Sequence, residues 1–406
     1  MRVLDLSRAL SGPFCSLILG DLGADVIKVE ALPDGDMIRS WGPFQESESA
    51  YYLSGNRNKR GIAVDFRSED GRGLLRKMAL ECDVLVENFK PGTLSEMGLD
   101  PASLRSTNPG LIIASISGFG SGGPLGNRPG FDQIAQGYSG FMSFTGTHET
   151  GPTRVGVAIG DLTSGMWLAI GVLSAWVERE RTGQGGAVET SLFASLVGLL
   201  SVQGQRYLSL GEVPAPTGNV HPVIAPYGVF KARDGDLNIG AATQDMWLRL
   251  CDVLGLVHLK SDPRFLDNAS RMENRDLLRE IINDALASDT KKIWSDRLVA
   301  VGIPAGPINT IADVFEDEQT RHLGLVETFE HPTLGSVRQV SNPLSFSDDE
   351  EQWIRRAPPV LGQHTREVLN EFGVAREQID QWEQAGIVFQ ASGHDGSSQR
   401  TSGANI

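Results

Sequence analysis

The sequence predicts an α/β protein built on a parallel sheet, and three observations carry that prediction. The chain opens strand, helix, strand, at residues 3–6 (VLDL), 14–22 and 25–30 (DVIKVE), which is the start of a βαβ unit. Short apolar runs then alternate with helix-like stretches as far as residue 190. Glycine is abundant, 47 of 406 residues, which suits the many tight turns of such an alternation.

Taken in order, residues 32–58 are loop-rich and run into the basic cluster Asn56-Arg57-Asn58-Lys59-Arg60. A strand is expected at 62–65 and a helix at 68–80, with Ser68 as its N-cap. Residues 83–87 read as a strand, 88–92 (NFKPG) as a turn, 100–105 as a short helix and 111–116 as a strand. The run 118–123 (GFGSGG) fits the dinucleotide pattern G-x-G-x-x-G. Pro124, Gly126 and Pro129 then leave no helix start to hold a pyrophosphate, so a nicotinamide fold is not predicted. A helix and turn are expected over 131–145.

The stretch 155–165, VGVAIGDLTSG, reads as an apolar strand ending at Gly160, a carboxylate at Asp161, and the entry to a helix over 163–180. From local pattern Asp161 is either the cap of that helix or a functional carboxylate displayed at a strand-to-helix corner. Residues 187–190 read as a strand and 191–210 as a long apolar helix of the core.

The length fits two to three domains. Residues 211–226 carry four prolines and read as a linker. A hairpin over 227–231 and 237–240 crosses Arg233-Asp234-Gly235. Helices at 244–254, 271–286 and 290–301 and a strand at 304–308 complete a smaller α+β domain. The expected division is a large domain over 1–210, a linker and small domain over 211–325, a return to the large domain over 326–390, and a polar, disordered tail over 391–406. Strands at 326–330 and 336–340 and helices at 365–372 and 376–385 belong to the return.

The formal charge of −15 argues against nucleic-acid binding, which needs a basic footprint. Cys15, Cys82 and Cys251 are far apart, with no Cys-x-x-Cys and no His/Cys cluster, so neither a disulfide framework nor a metal site is expected. A reducing cytoplasm suits that cysteine usage. No signal peptide is visible, and the longest apolar run, 166–177, is too short for a membrane span.

Several segments in order resemble the class III CoA-transferases, the formyl-CoA, carnitine and succinyl-CoA dicarboxylate transferases together with their racemase relatives. They are LDLSRALSGPF (4–14), LGADVIKVE (22–30), NRNKRGIAVD (56–65), DVLVENFKPG (83–92), ISGFGSGGP (116–124), GDLTSG (160–165), ERTGQG (180–185) and PPVLGQHT (358–365). The resemblance implies a Rossmann-like large domain built from both chain ends, a smaller inserted domain, and an interlocked homodimer with its active site between subunits. It implies no permanently bound cofactor. Coenzyme A and acyl-CoA are substrates, with small carboxylic acids as the other partners.

The family's catalytic aspartate falls on Asp161, so the resemblance implies a nucleophile that passes through an aspartyl-CoA thioester, with helix capping as an additional role. The family's CoA contacts map to Leu10, Ser11, Val64, Arg67, Asn88, Phe89, Lys90, Ser117, Gly118, Phe119 and Gly120. Ala31 and Glu96 stand where some members carry arginine. Arg39, Arg57, Lys59 and Arg67 are the cations left to meet the phosphates.

The racemase branch needs a histidine in an Arg-x-Gly-His-Asp segment. This chain reads Arg128-Pro129-Gly130-Phe131-Asp132, and phenylalanine moves no proton. A 2-methylacyl-CoA racemase and a non-catalytic CoA-binding protein remain the alternatives to transfer. The segment 218–227 (GNVHPVIAPY) resembles the branch that handles succinyl-CoA and dicarboxylates. His221 there is either a structural loop histidine or a ligand for a distal carboxylate, and Arg154 is a second candidate for that carboxylate.

Overall fold

The computed structural model describes residues 1–126, 128–346 and 352–392. Six parallel strands form the central sheet: β1 (Arg2–Asp5), β2 (Asp25–Ala31), β3 (Lys59–Val64), β4 (Val84–Glu87), β5 (Ile112–Ser117) and β6 (Ala187–Ser191). Their order is β3-β2-β1-β4-β5-β6, and Val388–Phe389 closes the β3 edge antiparallel. This is the doubly wound 3-2-1-4-5-6 order, in which chain direction along the sheet reverses beside β1 and leaves a crevice at the strand C-termini.

Side chains alternate across the sheet, so each strand feeds two cores. Val3, Val26, Val84, Val86 and Ile112 face one way, against helix α1 (Ser11–Asp21). Leu4, Ile27, Ile62 and Leu85 face the other, against α2 (Glu69–Glu81). Ser68 caps α2 as expected, its side chain accepting from Gly71 N. Burying each such side chain is worth about 1.5–3 kcal/mol.

Two sequence expectations fail here. Residues 155–158 form no strand. Helix α3 (Asp132–Tyr138) is followed by α4, which already begins at Ile159 and runs to Thr182, with Ala158 at its N-cap. A short apolar run does not distinguish a strand from a helix start, and Asp132 supplies the acceptor that starts the helix, taking the Gly160 amide at 2.7 Å. The helix expected over 191–210 is two helices, α5 (Leu192–Gly198) and α6 (Ser201–Leu210), and Ser201 at the break has a left-handed φ of 43°. Helix α6 buries none of its residues, so it is not core.

The chain divides into two compact units. One holds the central sheet and spans 1–142, 154–213 and 322–406; the other spans 143–153 and 214–321. The second contains a three-stranded antiparallel sheet, with Tyr227–Ala232 paired to Gly235–Gly240 and that strand to Ala305–Pro307. Helices Gln244–Val253, Arg275–Leu286 and Lys291–Ala300 pack a core around Trp247, Phe265, Ile282 and Trp294. The helix expected over 271–286 starts afresh after Asn274, following the short helix Asn268–Glu273. In the first unit, Val326–His331 and Gly335–Val340 form a separate hairpin. Most of the tail expected to be disordered, 393–406, lies outside the described residues. Among the described residues, no helix is long and apolar enough to cross a membrane.

Candidate active site

Asp161 stands in the first turn of α4, half-buried. It is not the helix cap that its place in the sequence suggested: the N-cap is Ala158, and the Asp161 carboxylate has no hydrogen-bond partner among the described residues. The amide two positions past that cap, Gly160 N, is taken by Asp132 from α3. The other oxygen of Asp132 accepts from Gln136 Nε2 at 2.6 Å, and Gln136 Oε1 accepts from Val155 N at 2.9 Å. The segment entering α4 is thus tied to α3 at two points.

Glycines set the placement of Asp161. A Cβ on Gly160 would lie 3.0 Å from Asp132 Oδ1 and 3.1 Å from Leu196 Cδ1, so the close neighbour that Gly160 admits is this chain itself. A Cβ on Gly165 would lie 2.7 Å from Ser11 O and 3.2 Å from Cys15 N, so α4 rests directly on the α1 backbone. Gly118 and Gly130 meet in the same way, a Cβ on Gly118 falling 2.7 Å from Gly130 Cα.

Burial pushes the Asp161 carboxyl up to about 7, and the negative Asp132 adds to the shift. The dipole of the long α4 favours the ionised form, but by only about 0.3–1 kcal/mol, less than the desolvation it opposes. The result is a carboxylate half ionised near neutral pH and more basic than an ordinary aspartate. Greater basicity at an unpaired oxygen is what an attacking carboxylate needs.

The residues that the family resemblance assigned to CoA gather at the C-terminal ends of the parallel strands, where ligands of such sheets bind. Leu10 and Ser11 follow β1, Arg67 follows β3, Asn88, Phe89 and Lys90 follow β4, and Ser117 ends β5 ahead of Gly118, Phe119 and Gly120. Asn88 braces this edge: its Oδ1 accepts Arg8 N at 2.7 Å, and its Nδ2 donates to Arg8 O and to Ser11 Oγ. Val64, at the end of β3, is the exception: its side chain is fully buried in the core and is not open to CoA. The glycine stretch after β5 starts no helix before Asp132 among the described residues. Gly120, at φ 104°, donates its amide to Ser117 Oγ at 2.8 Å.

A cleft of about 250 Å³ opens beside Phe89, Lys90, Ser117 and Ser121. Its wall includes Glu87 and Glu189. Burial raises the Glu87 carboxyl, Ser115 and the Phe89 amide oppose the shift, and Glu189 adds to it.

The basic cluster corrects the sequence reading. Arg57 is buried and spends its guanidinium on Asp21, at 2.6 and 3.0 Å, and on Val340 O at 2.7 Å. Lys59 is fully buried and donates to Asp5, Pro13 O and Asn56 Oδ1. Arg60 pairs with Asp25, Glu367 and Glu371. Arg39 chelates Glu30 through two bonds of 2.7 Å and lies over the Tyr52 ring. Arg39, Arg57 and Lys59 are therefore internal counter-ions rather than phosphate ligands, because a buried carboxylate already occupies each of them. Arg67 differs: its side chain is 78% exposed and its carboxylate contact, Asp65, lies at 3.3 Å.

Two residues missed in the sequence shape the same edge. Lys28, fully buried in β2, pairs with Asp36 at 3.0 Å and also donates to Ser7 O. Asp36 accepts the amide of Ala9, which holds a left-handed φ of 61°. A lysine inside the apolar run VIKVE was the available signal. Asp132 was in view in the sequence beside Phe131, but nothing in its spacing marked it as a partner of Gly160. Arg154 is exposed, and among the described residues its side chain donates only to Val155 O, at 3.4 Å. His221 lies in the second unit. The three cysteines are free and buried, and burial raises all three thiols. No cluster of metal-ligating side chains occurs among the described residues.

A sequence model of CoA-transferase family III matches residues 1–365. The chain is 41% identical over 373 residues to the succinyl-CoA:glutarate CoA-transferase of Mus musculus, covering 91% of this chain and 85% of that one. It is 36% identical over 386 residues to the succinyl-CoA:mesaconate CoA-transferase of Haloarcula hispanica, covering 92% and 96%. The crystal structure of a CAIB/BAIF family protein from Brucella suis superposes with a TM-score of 0.83 at 38% identity, over 92% of this chain and 98% of that one.

Proposed function

Because the chain belongs to CoA-transferase family III, we propose that it moves CoA from an acyl-CoA donor, succinyl-CoA, to a second dicarboxylic acid through an aspartyl-CoA thioester on Asp161. The observation that carries the chemistry is the half-buried Asp161 carboxylate, without a hydrogen-bond partner among the described residues and pushed up to about 7 beside Asp132. The dicarboxylate class is supported by likeness, over nine-tenths of the chain, to enzymes named for glutarate and mesaconate.

The steps balance without a cofactor. An Asp161 oxygen attacks the thioester carbonyl carbon; the C–S bond breaks and the CoA thiolate leaves, giving a mixed anhydride. The thiolate attacks the Asp161 carbonyl carbon of that anhydride and expels the donor acid as its carboxylate. The acceptor carboxylate then attacks the aspartyl thioester, and the released thiolate takes the acceptor's acyl group. This second anhydride cleavage regenerates Asp161. Covalent catalysis divides one difficult exchange into easier steps, and each tetrahedral intermediate needs amide donors. The loop from Gly118 to Gly123 is the source of those donors in this reading.

CoA lies along the strand C-termini, against Leu10, Ser11, Asn88, Phe89, Lys90, Ser117, Gly118, Phe119 and Gly120, with Arg67 and Lys90 as the cations for its phosphates. His221 or Arg154 reads the distal carboxylate. The working form is an interlocked homodimer in the cytoplasm. Exposed Met166, Trp167, Ile170 and Val177 along α4, with Leu208 on α6, support a covered face.

The test is incubation with succinyl-CoA and a panel of dicarboxylates. New acyl-CoA species that vanish in Asp161→Ala support transfer. Exchange of the α-hydrogen of a 2-methylacyl-CoA without any acceptor acid overturns it in favour of racemisation. CoA binding with neither reaction overturns it in favour of a binding protein.

A further inference from the structure

His221 lies in the second unit, on the loop leading into the strand Tyr227–Ala232. Its ring stacks on that of Tyr227, with centroids 4.9 Å apart and planes 21° from parallel. Its backbone N–H donates to Tyr227 O at 2.9 Å, and Asn219 O accepts Val229 N at 2.9 Å. A Cβ on Gly228 would lie 2.5 Å from Asn219 O, so the two backbones approach closely only because Gly228 has no side chain. The Tyr227 ring is seated over Gly240, where a Cβ would come 3.5 Å from it.

The loop is also held from behind. Asn268 donates to Val223 O at 2.9 Å and accepts Ala225 N at 3.1 Å. The buried Arg271 donates its Nε to Ala225 O at 2.7 Å.

These contacts select one tautomer. Val223 N donates to His221 Nδ1 at 3.3 Å, so Nδ1 is an acceptor and the ring proton sits on Nε2. His221 Nε2 has no partner among the described residues. The ring is thus locked in plane by a stack and in tautomer by an amide, with one donor left over.

We infer that Tyr227 is a positioning residue that holds His221 as an Nε2–H donor to the distal carboxylate of a dicarboxylic acid. This rests on the proposed reading of His221 as a carboxylate ligand. A dicarboxylate meets the donor with a charged acceptor, giving a charge-assisted bond. A monocarboxylate of equal chain length ends in a methyl group and leaves the donor unpaired. A site that loses a partner in this way discriminates by chemistry rather than by size.

The experiment measures kcat and KM on the full-length protein for a five-carbon dicarboxylate and the five-carbon monocarboxylate as acceptors. His221→Phe keeps an aromatic ring and removes the donor; it is expected to lower the ratio of kcat/KM for the dicarboxylate to that for the monocarboxylate by about 10–100-fold, mostly through KM for the dicarboxylate. Tyr227→Leu is expected to lose the same selectivity by about 3–10-fold, and Tyr227→Phe to restore it because the stack survives. Equal losses for both acids in Tyr227→Leu overturn the positioning role, as does full selectivity in Tyr227→Leu when His221→Phe has lost it. Unchanged selectivity in His221→Phe overturns the carboxylate reading of His221. Absence of an aspartyl thioester in the unaltered protein, read by hydroxylamine trapping with succinyl-CoA as donor, marks failure of the transfer reading instead.

Discussion

Asp132 Oδ1 accepts the amide of Gly160 at 2.7 Å, which sets a second carboxylate against the residue preceding Asp161. Its charge adds to the burial that pushes Asp161 up to about 7. Attack on a thioester needs the ionised form, so transfer is expected to fall tenfold per pH unit below about 7. Asp132→Asn keeps an oxygen for the Gly160 amide and removes the charge. The acid limb of its pH–rate profile is expected to move to lower pH, with a slower plateau because the nucleophile is less basic. An unmoved limb would show that Asp132 acts only as a helix brace.

The same shift sets a stability cost. The folded pKa of Asp161 lies above the unfolded value of 3.8, so the folded chain holds its proton while the unfolded chain ionises. Stability contributed by this group is therefore present below pH 4 and is lost as pH rises toward 7, by about 1.4 kcal/mol per unit and roughly 4 kcal/mol in all. Asp161→Asn has no such loss. Its thermal midpoint is expected to exceed that of the unaltered protein at pH 8 and to converge with it near pH 4. A difference that is constant across pH would assign the effect to packing.

The central sheet was legible because each strand is a short apolar run between turn residues, as in DVIKVE and DVLVE. The start of α4 was not, because VGVAI alternates like a strand and the acceptor that begins the helix, Asp132, comes from another helix. The cluster from Asn56 to Arg60 misled for a related reason. Charges in a row are normally solvated, but these point into the sheet and meet Asp5, Asp21 and Asp25 from strands and helices far away in sequence. Pairing between distant segments leaves no local trace. As a candidate nucleophile Asp161 stood out only through resemblance, since its local pattern fits a cap that the structure assigns to Ala158.

Gly165 fixes the height of Asp161 over the sheet, because α4 touches the α1 backbone there. Gly165→Ala places a Cβ 2.7 Å from Ser11 O, which the helices relieve only by separating. The expected cost is about 1–3 kcal/mol, read as a lower urea midpoint. Transfer is expected to fall further than the folded fraction does, since Asp161 lies one helical turn away. Full activity in the folded fraction would show that the helix contact does not position the nucleophile.

The buried pair of Lys28 and Asp36 holds the loop after β1. Lys28→Met leaves Asp36 charged and unpaired, at an expected cost of about 3–5 kcal/mol. In the folded fraction KM for acyl-CoA is expected to rise several-fold with kcat nearly unchanged, because Asp36 also takes the amide of Ala9 in its left-handed turn. Calorimetry and steady-state kinetics read the two effects separately. A stability loss with KM unchanged would confine the pair to the core.

Arg57 and Arg67 make opposite predictions although both were candidates for phosphate. Arg57 is bound on all sides by Asp21 and Val340. Arg57→Ala strands a buried carboxylate and is expected to cost about 3–5 kcal/mol while leaving KM for acyl-CoA unchanged in the folded fraction. Arg67 is exposed and only loosely engaged by Asp65. Arg67→Ala is expected to change stability by under about 0.5 kcal/mol and to raise KM for acyl-CoA about 10-fold, the worth of one charge-assisted bond to a phosphate. The rise is expected to shrink with added salt and to be absent for an acyl-pantetheine that lacks the phosphates. An equal rise with acyl-pantetheine would remove Arg67 from the phosphate site and leave Lys90 as the cation to test.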